Sequence, residues 1–456
     1  MNPKESTDGG QNNATWGNNT TTNGTNDSNS AQFDNSNNSN ENSDSSTGGS
    51  DDYSPTHSEK TWLIVAVGVG ALLASVPLTH YMNKFGPRIL FAAAGFLSAI
   101  ATALIPTAAR LGLPYFLVVR AFQGVGYAAC MPMVGGVTAK WATLKQHAIF
   151  VSVLTLFMQI APTISMPISG ELCESSFGWT SVYYVHAVYS FILFTLFALF
   201  YRNSPKNHPC VGETELDELA DGKSDSEVTD ETHENVPYGS IFKTMAIWAV
   251  WVASIGNFCS YNLVTLFSPT YLHKVMGYPV VKTGLSAALP PICQMLMKIT
   301  AGATSDKISH CSEKIKVRVY NSVAFFGFAL FICLLALTPQ SHPTLALVLL
   351  TAATTLLGIN TGGYYKSATL VSRHYSQAVM GIDSTVICTT MLIVPLIVEV
   401  ITDLNTVGEW AIVFFIIAGI MVVTNLFFVV FAKASAASWA KEDSSSNEQS
   451  EGLERN

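Results

Sequence analysis

Eleven apolar stretches recur between Thr61 and Ala432 and limit what this chain can become. They cover residues 61–82, 89–109, 115–138, 148–170, 181–201, 244–266, 284–303, 320–338, 344–364, 378–402 and 410–432. A helix needs about 20 residues to cross a hydrocarbon core roughly 30 Å thick. A backbone in lipid must satisfy its own hydrogen bonds, and a helix does so within one segment. Buried helices of a soluble protein would show charged faces, and these runs have none. The expected fold class is therefore all-α and polytopic, with five spans, a hydrophilic interruption at 202–243 and six more spans.

Composition supports this. Half the residues are apolar (49%) and only 12% are charged, against roughly 25% charged in an ordinary soluble domain. The net charge of −8 disfavours nucleic acid as a partner. Residues 1–60 hold nine acids and two bases, so most of that negative charge lies outside the spans. This segment of Asn, Ser, Thr, Gly and Asp offers little apolar surface to bury, which predicts a disordered tail. It lacks the apolar core of a signal peptide. The tail from Lys433 to Asn456 is polar again. The eight cysteines are scattered, with no CxxC pair and no Cys/His cluster of zinc spacing, so they read as small buried hydrophobes. Nothing calls for a metal or cofactor.

Lys and Arg concentrate in cytoplasmic loops. With the N-terminus outside, 17 fall on the cytoplasmic side and 5 on the other. That predicts a cytoplasmic linker at 202–243 and a cytoplasmic C-terminus. The N-terminal tail carries Asn-x-Ser/Thr sequons at Asn13, Asn18, Asn19, Asn23, Asn26 and Asn37. These are usable only on the lumenal or extracellular face, which agrees with the charge count. An Asn/Ser/Thr-rich tract also makes sequons by chance.

Short motifs narrow the class. The first loop reads Asn83-Lys84-Phe85-Gly86-Pro87-Arg88. The third span contains Arg120-Ala121-Phe122-Gln123-Gly124-Val125-Gly126, and the second half contains Gly302-Ala303-Thr304-Ser305-Asp306-Lys307. These resemble the loop 2–3 motif, the helix 4 RxxQGxG motif and the repeated loop motif of the major facilitator superfamily. Met166-Pro167-Ile168-Ser169-Gly170, Gly178 to Val185, Ser204 to Pro209 and Gly284 to Pro290 resemble its anion–cation symporter branch: sodium–phosphate cotransporters, sialin and vesicular glutamate transporters. The resemblance covers about 61–432. It implies two helix bundles, family helices 2–6 at 61–201 and 7–12 at 244–432. It also implies a small anion as substrate, a proton or sodium as coupling ion, and a plasma-membrane or vesicle- or lysosome-membrane location as a monomer. On this alignment family helix 1 is not among the eleven spans, and the Asn-rich tail resembles the lumenal loop that follows it.

The chain departs from the branch at two positions. The helix 4 carboxylate expected seven residues after the arginine is Tyr127. The second cavity arginine of the glutamate transporters is replaced by Ser260, beside Asn257, which argues against glutamate. The resemblance places Gln123, Tyr127, Asn257 and Ser260 along the substrate path.

An ionisable group inside a span is costly and is normally kept for a role. Arg120 lies about five residues, roughly 8 Å, into its span, where a guanidinium can grip a carboxylate or phosphate bidentately. Its structural alternative is bonding to backbone carbonyls. Lys298 sits close enough to the cytoplasmic end to snorkel, or to pair with Asp306. Asp383 lies one to two turns into its helix, placed to exchange a proton or to pair with Lys366 or Arg373. Glu399 is expected near the outer end, hydrated. His80 and His186 read as satisfied helix histidines. Gly124, Gly126, Gly135, Gly136, Gly358, Gly362 and Gly363 are expected at close helix contacts.

Three function classes follow. A secondary transporter is the leading one. A transporter-like sensor that binds without moving its ligand is motivated by Tyr127 and Ser260. A polytopic enzyme finds no Ser/His/Asp set and no metal spacing to support it.

Overall fold

The computed structural model describes residues 57–220, 236–277 and 280–440. The six sequons, most of the N-terminal tail, part of the acidic linker and the end of the C-terminal tail lie outside the described residues. The chain divides into Met1–Ser50, which is outside them too, and Asp51–Asn456, which holds every helix below.

The N-terminal half comprises α1 (His57–Phe85), α2 (Pro87–Leu111), α3 (Leu113–Ala128), α4 (Cys130–Trp141), α5 (His147–Leu154), α6 (Phe157–Glu174) and α7 (Gly178–Phe200). Two short helices follow in the linker, α8 (Glu213–Ala220) and α9 (Tyr238–Lys243). The C-terminal half comprises α10 (Met245–Thr270), α11 (Val280–Lys307), α12 (Glu313–Ala336), α13 (Pro343–Leu357), α14 (Tyr364–Ser372), α15 (Ser376–Ile401) and α16 (Val407–Phe431). Every expected span falls on helix. Among the described residues, nine helical runs are long and apolar enough to cross a membrane, one of them covering α13 to α15 and none of them α11.

Local chemistry explains the boundaries. Gly86 takes φ 81°, a left-handed turn that only glycine adopts without strain, and Pro87 then opens α2 with φ already helical. Thr406 and Glu409 form a reciprocal capping box at the start of α16.

Three spans expected as single helices are broken, and the breaks matter later. The third divides at Ala129, ahead of Pro132, which lacks an N–H and crowds the carbonyl four residues back. The fourth divides at Thr155, whose hydroxyl takes the Val151 carbonyl at 2.8 Å. The ninth ends at Leu357 and continues as a 3₁₀ turn, Gly358–Gly362.

Within the first half α1 packs on α3, and α2 on α3 and α7; within the second, α12 packs on α16 and α13, and α10 on α15 and α16. The halves meet where α1 and α4 cross α15, and where α5 and α6 cross α11. These crossings are close because glycine allows it. A Cβ at Gly135 would strike the Ser376 carbonyl, one at Gly136 the Gln377 side chain, and one at Gly302 the Ser152 hydroxyl. On α7, Val188, Phe191, Leu199 and Phe200 all point outward, as lipid-facing side chains do.

The loops expected on one side of the bilayer gather at one end. Arg88 N–H donates to Asn203 at 3.0 Å, Ser367 to the Lys433 carbonyl at 2.6 Å, and Trp439 to Thr244 at 2.8 Å. Thr61 donates to Glu399 at 2.8 Å, so Glu399, expected hydrated, is bonded across the two halves.

Candidate functional site between the two halves

The break at Thr155 leaves room on its carbonyl for a second donor. Lys298, 2% exposed on α11, supplies it: its Nζ lies 3.2 Å from the Thr155 carbonyl and 3.2 Å from Gln159 Oε1. Gln159 in turn donates to Gln294 at 3.1 Å. The three side chains tie α6 to α11 through buried polar groups, which hold only when each finds a partner. Lys298 therefore neither snorkels to water nor pairs with Asp306. Next to this network a cleft opens between the halves, lined by Met158, Pro162, Met166, Tyr261, Pro291 and Gln294. Tyr261 donates to the Met158 carbonyl at 2.9 Å and anchors one wall.

Asp306 has different partners. Its carboxylate accepts the Ile149 N–H at 2.9 Å and the Ala148 N–H at 3.4 Å, at the positive N-terminal end of α5. Lys366 Nζ sits 2.8 Å from it and 2.9 Å from Glu313, which also pairs with Lys316. Lys316 further donates to the Ile308 carbonyl at 2.7 Å. This knot of two acids and two lysines closes the loop-rich end of the interface. It also uses up Lys366, so the expected pairing of Asp383 with Lys366 does not form.

Asp383 is fully buried. Neither carboxylate oxygen has a hydrogen-bond partner among the described residues. Ser254 of α10 and Tyr364 and Tyr365 of α14 face it without closing a well-formed bond. The tyrosine rings stack with centroids 4.2 Å apart, which fixes where their hydroxyls point. Asn257 accepts from Asn360 across α10 and the 3₁₀ turn, and the Ser260 hydroxyl is buried without a partner. Tyr127 shares its surroundings with Tyr261, Tyr365, Cys130 and Cys388, which places it at the junction of the halves.

Arg120 stands apart from this set. It is half-buried on α3, with its guanidinium 5.6 Å from the Phe116 ring, and it donates to Gln123 at 3.2 Å. Gln123 then donates to Thr102 of α2 at 2.7 Å. Gln123 thus orients Arg120 and has its own amide engaged. The Arg120 Nε is buried with no partner. His186, as expected, is held by its own helix, 2.7 Å from the Val182 carbonyl.

So the structure gathers Tyr127, Asn257, Ser260, Lys298 and Asp383 around the junction, and Arg120 with Gln123 within the first half. Sequence reasoning missed Gln159, Gln294, Ser254, Tyr364 and Tyr365. A signal existed for one group: Ser254, Asn257 and Tyr261 recur at helical spacing, so they share one face of α10.

Two helical halves meeting through glycine crossings and buried polar side chains beside a narrow cleft define an integral multi-pass membrane protein of the transporter class. A sequence profile of the Major Facilitator Superfamily matches residues 48–364, and the chain belongs to that family. Human (Homo sapiens) sialin is 27% identical over 386 residues, covering 84% of this chain and 77% of sialin. Vesicular glutamate transporter 1 of Bos taurus is 26% identical, covering 83% of this chain and 68% of its own. Sodium-dependent phosphate transport protein 1 of Rattus norvegicus is 25% identical, covering 83% and 82%. The resemblance to that branch, read from short motifs, holds over the same region. Among solved structures the proton:xylose symporter XylE superposes with a TM-score of 0.62 at 14% identity, covering 82% of this chain and 86% of that one, which supports the fold alone.

Proposed function

We propose that the protein is a secondary active transporter of a small organic or inorganic anion, driven by a proton or sodium gradient and working by alternating access. The observation that carries this reading is the meeting of the two halves through the buried Lys298–Gln159–Gln294 network, beside a narrow cleft of about 20 Å³. A site at the junction of two bundles, sealed on one side by breakable polar contacts, is what rocking of one bundle against the other requires. Arg120 is the anion ligand: Gln123 holds the guanidinium in place, and its Nε has no partner among the described residues. Tyr127, Asn257 and Ser260 line the path, Lys298 holds the seal, and Asp383 serves coupling. The names of two relatives include glutamate and phosphate. Ser260, where the glutamate transporters place an arginine, favours phosphate or a sugar acid.

The Asn-rich tail is lumenal or extracellular and glycosylated at one or more of its sequons, and the C-terminus is cytoplasmic. The chain works as a monomer in the plasma membrane or a vesicle membrane.

The test is uptake of labelled phosphate, glutamate and glucuronate into proteoliposomes under a proton or sodium gradient. Accumulation that Arg120→Ala abolishes supports the reading. No accumulation of any of the three, together with thermal stabilisation by one of them, would replace it with the non-transporting sensor.

A further inference from the structure

Asp383 is the only Asp or Glu fully buried among the described residues. A carboxylate without counter-ion or hydrogen bond costs several kcal/mol in such surroundings, so the folded site must supply a compensating charge or keep the group neutral. Among the described residues the protein supplies no cation. Lys366 is committed to Asp306 and Glu313, and Lys298 to Thr155 and Gln159. The other elements packed on α15 bring no counter-ion either. On α1, His80 lies against Gly381 and Thr385, the opposite face of α15, and Lys84 lies over Phe85. On α3, Arg120 is bonded to Gln123. On α16, Glu409 closes its capping box. Lys140 ends α4, and Arg373 and His374 form the turn before α15. None of these bonds to Asp383. What faces it is oxygen: Ser254, Tyr364 and Tyr365, with their own hydroxyls unpartnered as well.

We infer that Asp383 is the proton-carrying group of this transporter, binding one proton per cycle within the Ser254–Tyr364–Tyr365 hydroxyl cluster. This rests on the transport reading above and names its coupling ion. The step is a single protonation: one carboxylate oxygen gains an O–H bond from a proton delivered by water, and the same bond breaks to water on the other side. With that proton present the acid both donates to and accepts from the cluster. The acid donates to one hydroxyl oxygen, and its carbonyl oxygen accepts another hydroxyl. A bare sodium ion fits less well, because all three hydroxyl protons would have to turn away from the ion and none of them would then be left to bond the carboxylate. The branch's usual helix 4 carboxylate is Tyr127 here, so this is the buried acid the described fold offers for the task.

The experiment uses the full chain in lipid. An infrared difference titration should show a protonated-carboxyl stretch that appears as pH falls and is missing in Asp383→Asn. A band of equal size in that variant overturns the assignment. In parallel, counterflow of labelled phosphate, glutamate and glucuronate is compared with uphill accumulation under a proton gradient, with a pH dye inside the vesicles. Asp383→Asn should keep counterflow and lose both accumulation and the dye response. Retained uphill accumulation, or wild-type accumulation driven by sodium at equal pH, overturns the inference. If Asp383→Asn does not fold, Tyr365→Phe should still fold and move the infrared midpoint by about one pH unit, a tenfold change in proton affinity; an unmoved midpoint counts against the cluster. Absence of counterflow in the wild type would remove the transport reading itself, and the infrared arm would still decide whether Asp383 binds the proton.

Discussion

The two halves of the molecule handle charge in opposite ways. In the first, the intramembrane cation Arg120 is half-buried, keeps an unpartnered Nε and is held by a single glutamine. In the second, Lys298, Lys316, Lys366 and Asp383 are 2%, 5%, 3% and 0% exposed. The three lysines there are saturated by carboxylates, carbonyls and amides. Asp383 alone is enclosed and unsatisfied. The contrast separates tasks. A half-buried guanidinium held by a single glutamine suits a ligand that comes and goes, whereas enclosed and bonded lysines suit contacts that form and break as a unit. An enclosed acid without a partner suits a proton.

The largest test of this contrast is at the charge knot. Lys366→Met leaves Asp306 with two backbone N–H groups and no cation, and Glu313 with Lys316 only. Removing one partner of a buried pair costs about 3–5 kcal/mol. Thermal unfolding of the purified protein should show a drop of that order, with Asp306→Asn plus Lys366→Met recovering much of it. A single variant as stable as wild type would mean the knot contributes nothing and that the second half is not the saturated one.

Next in size is the network beside the cleft. Lys298→Met removes the donor shared by Thr155 and Gln159. Leaving buried acceptors unmade costs roughly 1–3 kcal/mol, and the penalty falls only on the conformation that brings α6 to α11. A cysteine placed at Met166, which lines the cleft but belongs to no bond of the network, should then react faster with a water-soluble thiol reagent in the Lys298→Met background. Unchanged labelling would show that the network does not seal the interface.

These tests rest on features of unequal legibility. Helix number and rough position were readable because a hydrocarbon core imposes a length, and each of the eleven stretches falls on helix. Arg120, Lys298 and Asp383 were readable because ionisable groups stand out in apolar sequence. Their partners were not. Lys298 was expected to snorkel or to meet Asp306, yet it bonds Thr155 and Gln159, 143 and 139 residues away in sequence. The break at Thr155 exposes that carbonyl, and a local hydroxyl-to-carbonyl bond gives no periodic signal. Asp383 was expected near Lys366 because the two are close in sequence. The turn Arg373–Tyr375 instead sends α14 and α15 apart, and Lys366 turns to the loop end while Asp383 turns inward.

On the exposed side of the comparison, Arg120→Lys keeps the charge and loses the planar fork. If the guanidinium holds a carboxylate or phosphate through two N–H groups, kcat/KM for uptake should fall about tenfold, the equivalent of about 1.4 kcal/mol. Thermal stability should change little, because only the bond to Gln123 and the contact with the Phe116 ring are at stake, and lysine can keep part of both. Equal flux with lysine would make the site a point-charge site and would leave Gln123 without its orienting role. A large stability loss would instead mark Arg120 as a structural residue like the lysines of the other half.

The smallest expected effect comes from Ser260→Ala. Ser260 is fully buried and its hydroxyl has no partner among the described residues. Removing a buried polar group that is already unsatisfied relieves a desolvation cost and breaks no bond, so stability should stay within about 0.5 kcal/mol of wild type or rise slightly. Transport gives the opposite expectation: a hydroxyl on the substrate path should raise KM when deleted and leave kcat unchanged, as loss of uniform binding does. The two readouts together separate the roles. A stability loss above 1 kcal/mol, measured by unfolding, would show that Ser260 has a bonded partner in the folded protein, such as water. An unchanged KM would remove Ser260 from the path and leave Asn257 and Tyr127 as the polar lining of that wall.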